Sequence, residues 1–185
     1  LLNDPSRRRE LIMNVLNDNP GEYVELLKQA RMNEDVEVVH YAITAMVELS
    51  KEYDYRLQKI EKKYTNDPDD PVILEEYCDF LKEYLSQGFM EKQMEQIARA
   101  YEEEEETIYR NQYTQLLLKQ LEQKVNLHTC VCLMENLMVQ RDFFLAEKIL
   151  KIMDQNWHRG EEYWIWKIRY LAERKMGKEL KQSLQ

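Results

Sequence analysis

Long parts of this sequence contain neither glycine nor proline, and this scarcity constrains the fold more than any other feature. Four Gly and four Pro occur in 185 residues. Architectures of strands and turns need these residues far more often, because tight turns use the backbone conformations that Gly and Pro favour. The abundant Lys, Glu, Gln, Leu, Met and Ala lose little side-chain freedom in a helix. The sequence therefore predicts an all-α protein.

Composition and charge exclude several classes of protein. A length of 185 residues suits one domain or one solenoid segment. The formal net charge of −9 leaves no basic stripe for nucleic acid beyond the arginines at 7–9. Three cysteines, an odd number, argue against a disulfide framework and for a reducing, cytoplasmic compartment. There is no signal peptide and no apolar run long enough for a membrane span, but the initial Leu suggests an excised piece, which leaves a span upstream open.

The first third of the chain predicts three helices, of which the last is the longest. The first starts at Asp4, and the second restarts after Pro20. The inward face of the second helix is expected to consist of Tyr23, Leu26, Leu27 and Ala30. The third begins near Asn33, where Asn33 or Asp35 can cap it, and ends at the prolines within 68–71.

A stripe with alternating spacings of four and three residues runs along this third helix. Its members are Val39, Ile43, Met46, Ser50, Tyr53, Leu57, Ile60 and Tyr64. The heptad-like pattern is typical of a helix packed along one face, or paired with a second copy, so a homo-oligomer stays open. The opposite side of the first half is apolar too, with Val38, Ala42, Ala45 and Leu49. We therefore expect the first half to lie between neighbours and the second half to pack on one face.

The middle of the chain predicts a helix pair whose second member is long. A helix opens at Pro71 and stops at Gly88. Its expected inward residues are Ile73, Tyr77, Phe80, Leu81 and Tyr84. Residues 90–125 contain no Gly or Pro, so we favour one long helix there over two helices that meet at an unmarked bend.

The last third contains an internal repeat. Cys130 and Trp164 are 34 residues apart, which is the period of tetratricopeptide repeats. The expected inward positions of the first unit are Cys130, Leu133, Met134, Leu137, Ala146 and Leu150. The second unit reproduces three of them as Trp164, Ile168 and Leu171. Lys167 departs from the pattern and no proline occurs near His158, so the match is partial but in register.

These patterns together predict an irregular α-solenoid of antiparallel helix pairs. Residues 1–66 resemble HEAT-type hairpins followed by the long helix, and 70–125 form the pair with a long second helix. Residues 127–185 are tetratricopeptide-like, with the last repeat truncated. In such proteins each pair buries a face only against its neighbours, so we treat 1–185 as a single helical-repeat domain.

His40 is the first candidate for acid–base chemistry. Glu37 lies three residues before it and Asp35 lies nearby, so a carboxylate on the same helix face could orient the imidazole. General acid–base catalysis also needs a substrate pocket and a second reacting group, and the sequence marks neither. The favoured interpretation is a half-buried structural histidine that hydrogen-bonds a neighbouring helix.

The motif "HTCVC" contains His128, Cys130 and Cys132 and raises the question of a zinc site. On a helix His128 and Cys132 share a face, but Cys130 points about 160° away at 100° per residue. Three ligands so placed cannot converge on one tetrahedral ion. We therefore predict buried thiols and no metal.

Five consecutive glutamates at 102–106 could attract cations or a basic partner. They point all round a helix and cannot form a compact cage of the kind that calcium prefers. The favoured interpretation is a solvated, self-repelling stretch in a helix that leaves the body of the protein.

The motif "YWIWK" contains Tyr163, Trp164 and Trp166, which cannot all lie on one side of a helix. At least one of these rings is therefore expected to be exposed. It either packs on a following repeat or contacts a partner, since aromatic side chains anchor interfaces. These three residues are the candidate partner-binding site.

Two stretches in residues 19–88, "ARMNEDVEVVHYAITAMVEL" and "LEEYCDFLKEYL", carry a family resemblance. They resemble the helical-repeat region of PelE-like proteins, which are encoded in bacterial loci for Pel-type exopolysaccharide. The resemblance implies a membrane protein whose cytoplasmic helical-repeat domain follows N-terminal spans and scaffolds inner-membrane components of the polysaccharide synthase. The arginines at 7–9 would suit the cytoplasmic end of such a span.

No glycine-rich phosphate loop, nucleophile elbow, paired-metal carboxylate motif or kinase signature occurs. We therefore predict a non-catalytic scaffold without cofactor, at the cytoplasmic face of the inner membrane, whose protein partners dock as helices or peptides. The alternative is a soluble regulatory or sensor tetratricopeptide protein that binds a peptide or partner helix. A third hypothesis is a helical enzyme or metal protein built on His40, or on His128 and Cys132.

Overall fold

A computed structural model describes residues 20–86 and 96–176, with side chains for 23–86 and 105–176. These ranges contain seven helices and no strand, so the all-α prediction is confirmed for them. The helices are α1 Pro20–Ala30, α2 Val36–Asn66, α3 Pro71–Ser86, α4 Gln96–Gln123, α5 Leu127–Gln140, α6 Phe143–Trp157 and α7 Glu161–Glu173. The helix predicted ahead of Pro20 lies outside the described residues.

The chain divides into two compact units, 1–102 and 103–185. α4 starts in the first unit and continues into the second as a single helix, so the long helix favoured for 90–125 is confirmed over its described part. Neither the long helices nor any other helix in the described ranges has the length and apolar content that crossing a bilayer requires.

In the first unit α2 packs against both α1 and α3. α2 begins where predicted, because the Oδ1 atom of Asp35 accepts a hydrogen bond from the backbone N–H of Glu37 at 2.8 Å. Its second half buries Tyr53, Leu57 and Ile60, which are members of the predicted stripe.

Two expectations for the first unit are wrong. On α1 the buried residue is Val24, while Tyr23 and Leu26 are 38% and 56% exposed. A step of 100° per residue places Leu26 on the far side of α1 from Val24, and it is the Val24 side that is covered. The first half of α2 does not lie between neighbours in the described residues, since Val36 and Ile43 are 80% and 46% exposed.

Tyrosines form the interface between α2 and α3. The fully buried Tyr53 donates a hydrogen bond from its hydroxyl to Glu83 Oε1 at 2.6 Å, and Tyr77 donates one to Glu61 Oε1 at 3.2 Å. The Tyr53 ring also lies 6.1 Å from the ring of Tyr84, centroid to centroid. Burial, and then the hydrogen bond to Glu83, raises the pKa of Tyr53. Each phenol therefore combines an apolar ring with a satisfied polar end.

In the second unit α5 packs against α6 and α7, and α6 packs against α7. All six inward positions predicted for the first repeat are buried: Cys130, Leu133, Met134, Leu137, Ala146 and Leu150. In α7 Leu171 is buried as predicted, but Trp164 and Ile168 are only half-buried. The other buried side chains of α7 are Tyr163, Trp166 and Tyr170.

Helices α5 and α7 start and end in the same way at positions 34 residues apart. Asn126 and Gly160 are the N-caps, and both have extended backbone. At the C-termini Arg141 and Lys175 adopt left-handed φ angles of 57° and 55°. The next backbone N–H in each case reaches back to Leu137 O at 3.0 Å or to Leu171 O at 2.9 Å. This is the Schellman arrangement, which satisfies carbonyl groups at a helix end and redirects the chain.

Tyr53 is expected to make the first unit less stable at alkaline pH. Its raised pKa means that the folded unit holds the phenol proton more tightly than the unfolded chain, where the pKa is about 10. The stabilising contribution is fully present below about pH 10 and is lost as the pH rises toward the folded pKa. We expect the free energy of unfolding in urea to fall above pH 10 by up to about 1.4 kcal/mol per pH unit more in the parent than in Tyr53→Phe. Tyr55→Phe, at a site that is 61% exposed, is the control and should follow the parent; equal slopes in all three would contradict the assignment.

Candidate interaction groove

A buried side-chain amide joins α4 to α5. Asn136 of α5 is 3% exposed. Its Nδ2 atom donates to the carbonyl oxygen of Arg110 and to Thr114 Oγ1, both at 2.9 Å, and its Oδ1 atom accepts from Arg110 Nη1 at 3.1 Å. A buried amide is tolerated only when its donors and acceptor are paired, and α4 supplies partners on both sides. The amide therefore sets how α4 lies against α5 at this end.

The network continues from Asn136 to the surface. Thr114 Oγ1 lies 3.1 Å from Gln140 Oε1, and Gln140 Nε2 donates to Asn111 Oδ1 at 2.8 Å. Arg110 Nε donates to Glu106 Oε1 at 2.6 Å, with the arginine side chain 18% and the glutamate 42% exposed. The outer groups are thus held in position by partners that are themselves fixed in the interior.

These outer groups line an open groove of about 630 Å³ bounded by α4, the end of α5 and the start of α6. Three side-chain amides lie on its walls: Asn111, Gln115 and Gln140. Two carboxylates, Glu106 and Asp142, and two apolar side chains, Val139 and Leu145, complete most of the lining. A side-chain amide carries both a donor and an acceptor, so it can pair with the N–H and the C=O of a peptide unit. The groove therefore suits the backbone of an extended segment of protein.

His40 does not occupy the position predicted for it. The side chain is exposed on α2, and its ring centroid lies 6.0 Å from that of Tyr41. The interpretation as a half-buried structural histidine is wrong, because α2 turns the side of Ala42 and Leu49 inward at this level. Asp35, the carboxylate proposed to help it, is instead the helix cap.

The histidine and cysteines of "HTCVC" follow the predicted geometry. His128 Nε2 lies 3.6 Å from Cys132 Sγ, which places the two on one face. All three cysteines of the protein are buried thiols, and burial raises the pKa of Cys130 to about 11. Within 20–86 and 96–176 no three His, Cys, Asp or Glu side chains lie close enough to hold a metal ion.

The acidic run is described only at its end. Side chains at 102–104 lie outside the described residues. Glu106 is not simply solvated, because it forms an ion pair with Arg110 and lines the groove. This corrects the interpretation of the run as a uniformly solvated stretch.

The candidate partner-binding aromatics separate into interior and surface residues. Tyr163 and Trp166 are 3% and 6% exposed, and Trp164 is half-buried. The Lys167 ammonium lies 4.8 Å from the Trp164 ring centroid. Of the three residues, Trp164 presents most of its ring to the surface, so the prediction of a partner contact now concerns Trp164.

Tyr163 instead ties α7 to the end of α6. Its hydroxyl bonds to the carboxylate of Asp154, which also accepts from His158 Nδ1 at 2.7 Å. The hydrogen bonds from Tyr163 and then His158 lower the pKa of Asp154, while burial and then Asp154 raise the pKa of Tyr163. The arrangement is a helix-to-helix link at the surface.

The sequence interpretation missed the residues that build the groove. The inward stripe of α5 was assigned to the side of Leu133 and Leu137, and this side is indeed buried. A second buried side, Thr129, Cys132 and Asn136, has helical spacing too and faces other neighbours. A polar residue in line with Thr129 and Cys132 was the available signal, and its interpretation needs the position of α4.

Comparisons of the chain with protein-family models, with curated proteins and with solved structures find no match. The resemblance to PelE-like proteins therefore stays a prediction that depends on the residues quoted for it.

Replacing Asn136 with Ala tests the network. The change leaves the Arg110 carbonyl and one face of its guanidinium without their buried partner, and a buried group left unsatisfied costs about 1–3 kcal/mol. We expect the free energy of unfolding in urea to fall by about 2 kcal/mol or more. Glu135→Ala, at the exposed neighbouring position, should change it by less than about 0.5 kcal/mol. A loss in Asn136→Ala no larger than in Glu135→Ala would contradict the role of the amide.

Proposed function

We propose that this protein is a non-catalytic interaction module that binds an extended segment of another protein in the groove of α4, α5 and α6. The observation that carries the proposal is the row of wall amides, Asn111, Gln115 and Gln140, two of which are hydrogen-bonded to each other and connected to a buried network. Amides held in place before binding lose little freedom when a ligand arrives, so more of the interaction energy appears as affinity.

The helical-repeat interpretation supports this proposal. The matching caps and Schellman turns of α5 and α7, 34 residues apart, are what stacked tetratricopeptide pairs would have. Stacks of antiparallel helix pairs form an α-solenoid, whose extended surfaces commonly bind proteins. We propose that the second unit is such a stack, and that the HEAT-like first unit belongs to the same irregular array.

The placement of the histidines supports a role without catalysis. His40 is exposed on α2, His128 contacts the thiol of Cys132, and His158 bonds to Asp154 at the surface. A general base needs a reacting group and a site from which water can be excluded. The groove lining offers amides and carboxylates, which suit recognition of a polypeptide better than bond cleavage.

We further propose, on the resemblance to PelE-like proteins alone, that the partners belong to an exopolysaccharide synthesis complex at the inner membrane. The stretch that carries the resemblance forms the end of α1 and the first half of α2. Reading the complete gene is the direct test of this part. Paired apolar spans encoded ahead of Leu1 would favour it, and an intact reading frame without them would contradict it and favour the soluble regulatory alternative.

The groove is tested by the double variant Asn111→Ala with Gln115→Ala. Both side chains are exposed wall residues, so their truncation removes hydrogen bonds to the partner with little effect on the fold. We expect about a tenfold weaker partner affinity, since each bond contributes about 0.5–1.5 kcal/mol and 1.4 kcal/mol is tenfold. The measurement is quantitative affinity capture from the native cell, followed by calorimetric titration with the captured partner.

A matched control keeps the same kind of chemistry away from the groove. Gln58→Ala with Gln155→Ala also removes two exposed amides, on α2 and α6, that do not line the groove. This control should bind like the parent. Equal affinity in the parent and both double variants would contradict the groove as the binding site.

A further inference from the structure

One face of α7 is less covered than the corresponding face of α5. Trp164, Lys167 and Ile168 are half-buried, whereas the residues 34 positions earlier, Cys130, Leu133 and Met134, are fully buried. In α5 this burial accompanies packing against α6, which follows after two connecting residues. The described residues end at Met176, so whatever follows α7 in the chain is the direct counterpart of α6.

The chain leaves α7 as it leaves α5. The left-handed residues Arg141 and Lys175 have φ angles within a few degrees of each other, 57° and 55°. The hydrogen bonds that close the two helix ends also correspond, from Asp142 to Leu137 and from Met176 to Leu171. Because the backbone direction after a helix is set by these angles and bonds, the chain after Met176 starts back along α7 as α6 starts back along α5.

The sequence of 177–185, "GKELKQSLQ", has the pattern that this position needs. Leu180 and Leu184 fall 34 residues after Ala146 and Leu150, which are 0% and 7% exposed in α6. The residues at the solvent positions are polar, for Lys178 and Gln182 correspond to the exposed Phe144 and Lys148. Two leucines four residues apart lie on one side of a helix, which gives the segment a single apolar face.

We propose that residues 177–185 of this chain dock as a helix on the face of α7 formed by Trp164, Lys167 and Ile168, with Leu180 and Leu184 against the two apolar side chains. Trp164 is then an internal contact of the repeat array. The proposal is independent of the peptide groove, because it concerns another face of the second unit and a segment of the same chain.

One difference between the two repeats gives a sharp test. Asp142 caps α6 by accepting from the backbone N–H of Leu145 at 3.0 Å, whereas Met176 stands at the corresponding position and cannot cap. Met176→Asp adds a side-chain oxygen that is useful only if a helix begins at 177. We expect this variant to raise the melting temperature by about 2–8 °C. An unchanged or lower melting temperature would contradict a helix at this position.

Hydrogen exchange of the whole 185-residue chain tests the docking itself. The amide hydrogens of 181–185 are expected to exchange at least about tenfold more slowly in the parent than in Leu180→Ser with Leu184→Ser, because burying the two leucines holds the helix in place. Mass spectrometry of the C-terminal fragment after quenching gives the rate. Exchange in the parent at the rate of an unfolded peptide, or an equal rate in the leucine variant, would overturn the proposal.

The matched control is Gln182→Ser with Gln185→Ser, which introduces the same residue at positions that correspond to the exposed Lys148 and Lys151. This control should retain slow exchange, and loss of protection in it as large as in the leucine variant would contradict the assigned face. Sedimentation at several concentrations distinguishes docking within one chain from covering by a second copy. Protection that appears only in a concentration-dependent dimer would overturn the proposal in favour of the second copy.

Discussion

Each helix of this protein is stabilised by the helices next to it in the chain. In the described residues the close contacts run from α1 to α2, from α2 to α3, from α5 to α6, and from α7 to both α5 and α6. No distant element holds these pairs together, so the direction in which each helix ends decides which side chains its successor can cover. The left-handed Arg141 therefore matters as much as any apolar contact, because it returns the chain along α5.

The contact between α4 and α5 has a different character. Here a buried amide and its hydrogen bonds replace part of the apolar packing, although Leu117 and Leu121 are buried on the same helix. Hydrogen bonds need particular distances and angles, so they specify one arrangement of the two helices more strictly than aliphatic packing does. The same arrangement leaves Gln140 and Asn111 at the surface in a defined geometry, and this is what makes the groove suitable for recognition.

Much of the packing could be predicted from spacing alone, and the failures have a common cause. Tyr53, Leu57 and Ile60 were correctly placed inward, as were all six positions of α5 and α6. Leu26 and Trp164 were placed inward but are exposed or half-buried, while Val24 and Trp166 are buried. Helical periodicity identifies residues that share a face, but a helix with apolar residues on several sides has more than one possible inner face. Its neighbours make that choice.

The amino-acid sequence by itself determined the helical class and most helix limits, because prolines, caps such as Asp35 and Asn126, and the scarcity of glycine act within a few residues. Only the tertiary structure decided where a binding groove could form. Its key hydrogen bond joins Arg110 and Asn136, which are 26 residues apart on different helices. Neither residue is distinctive alone, and only the packing of α4 on α5 turns them and the amides around them into one surface.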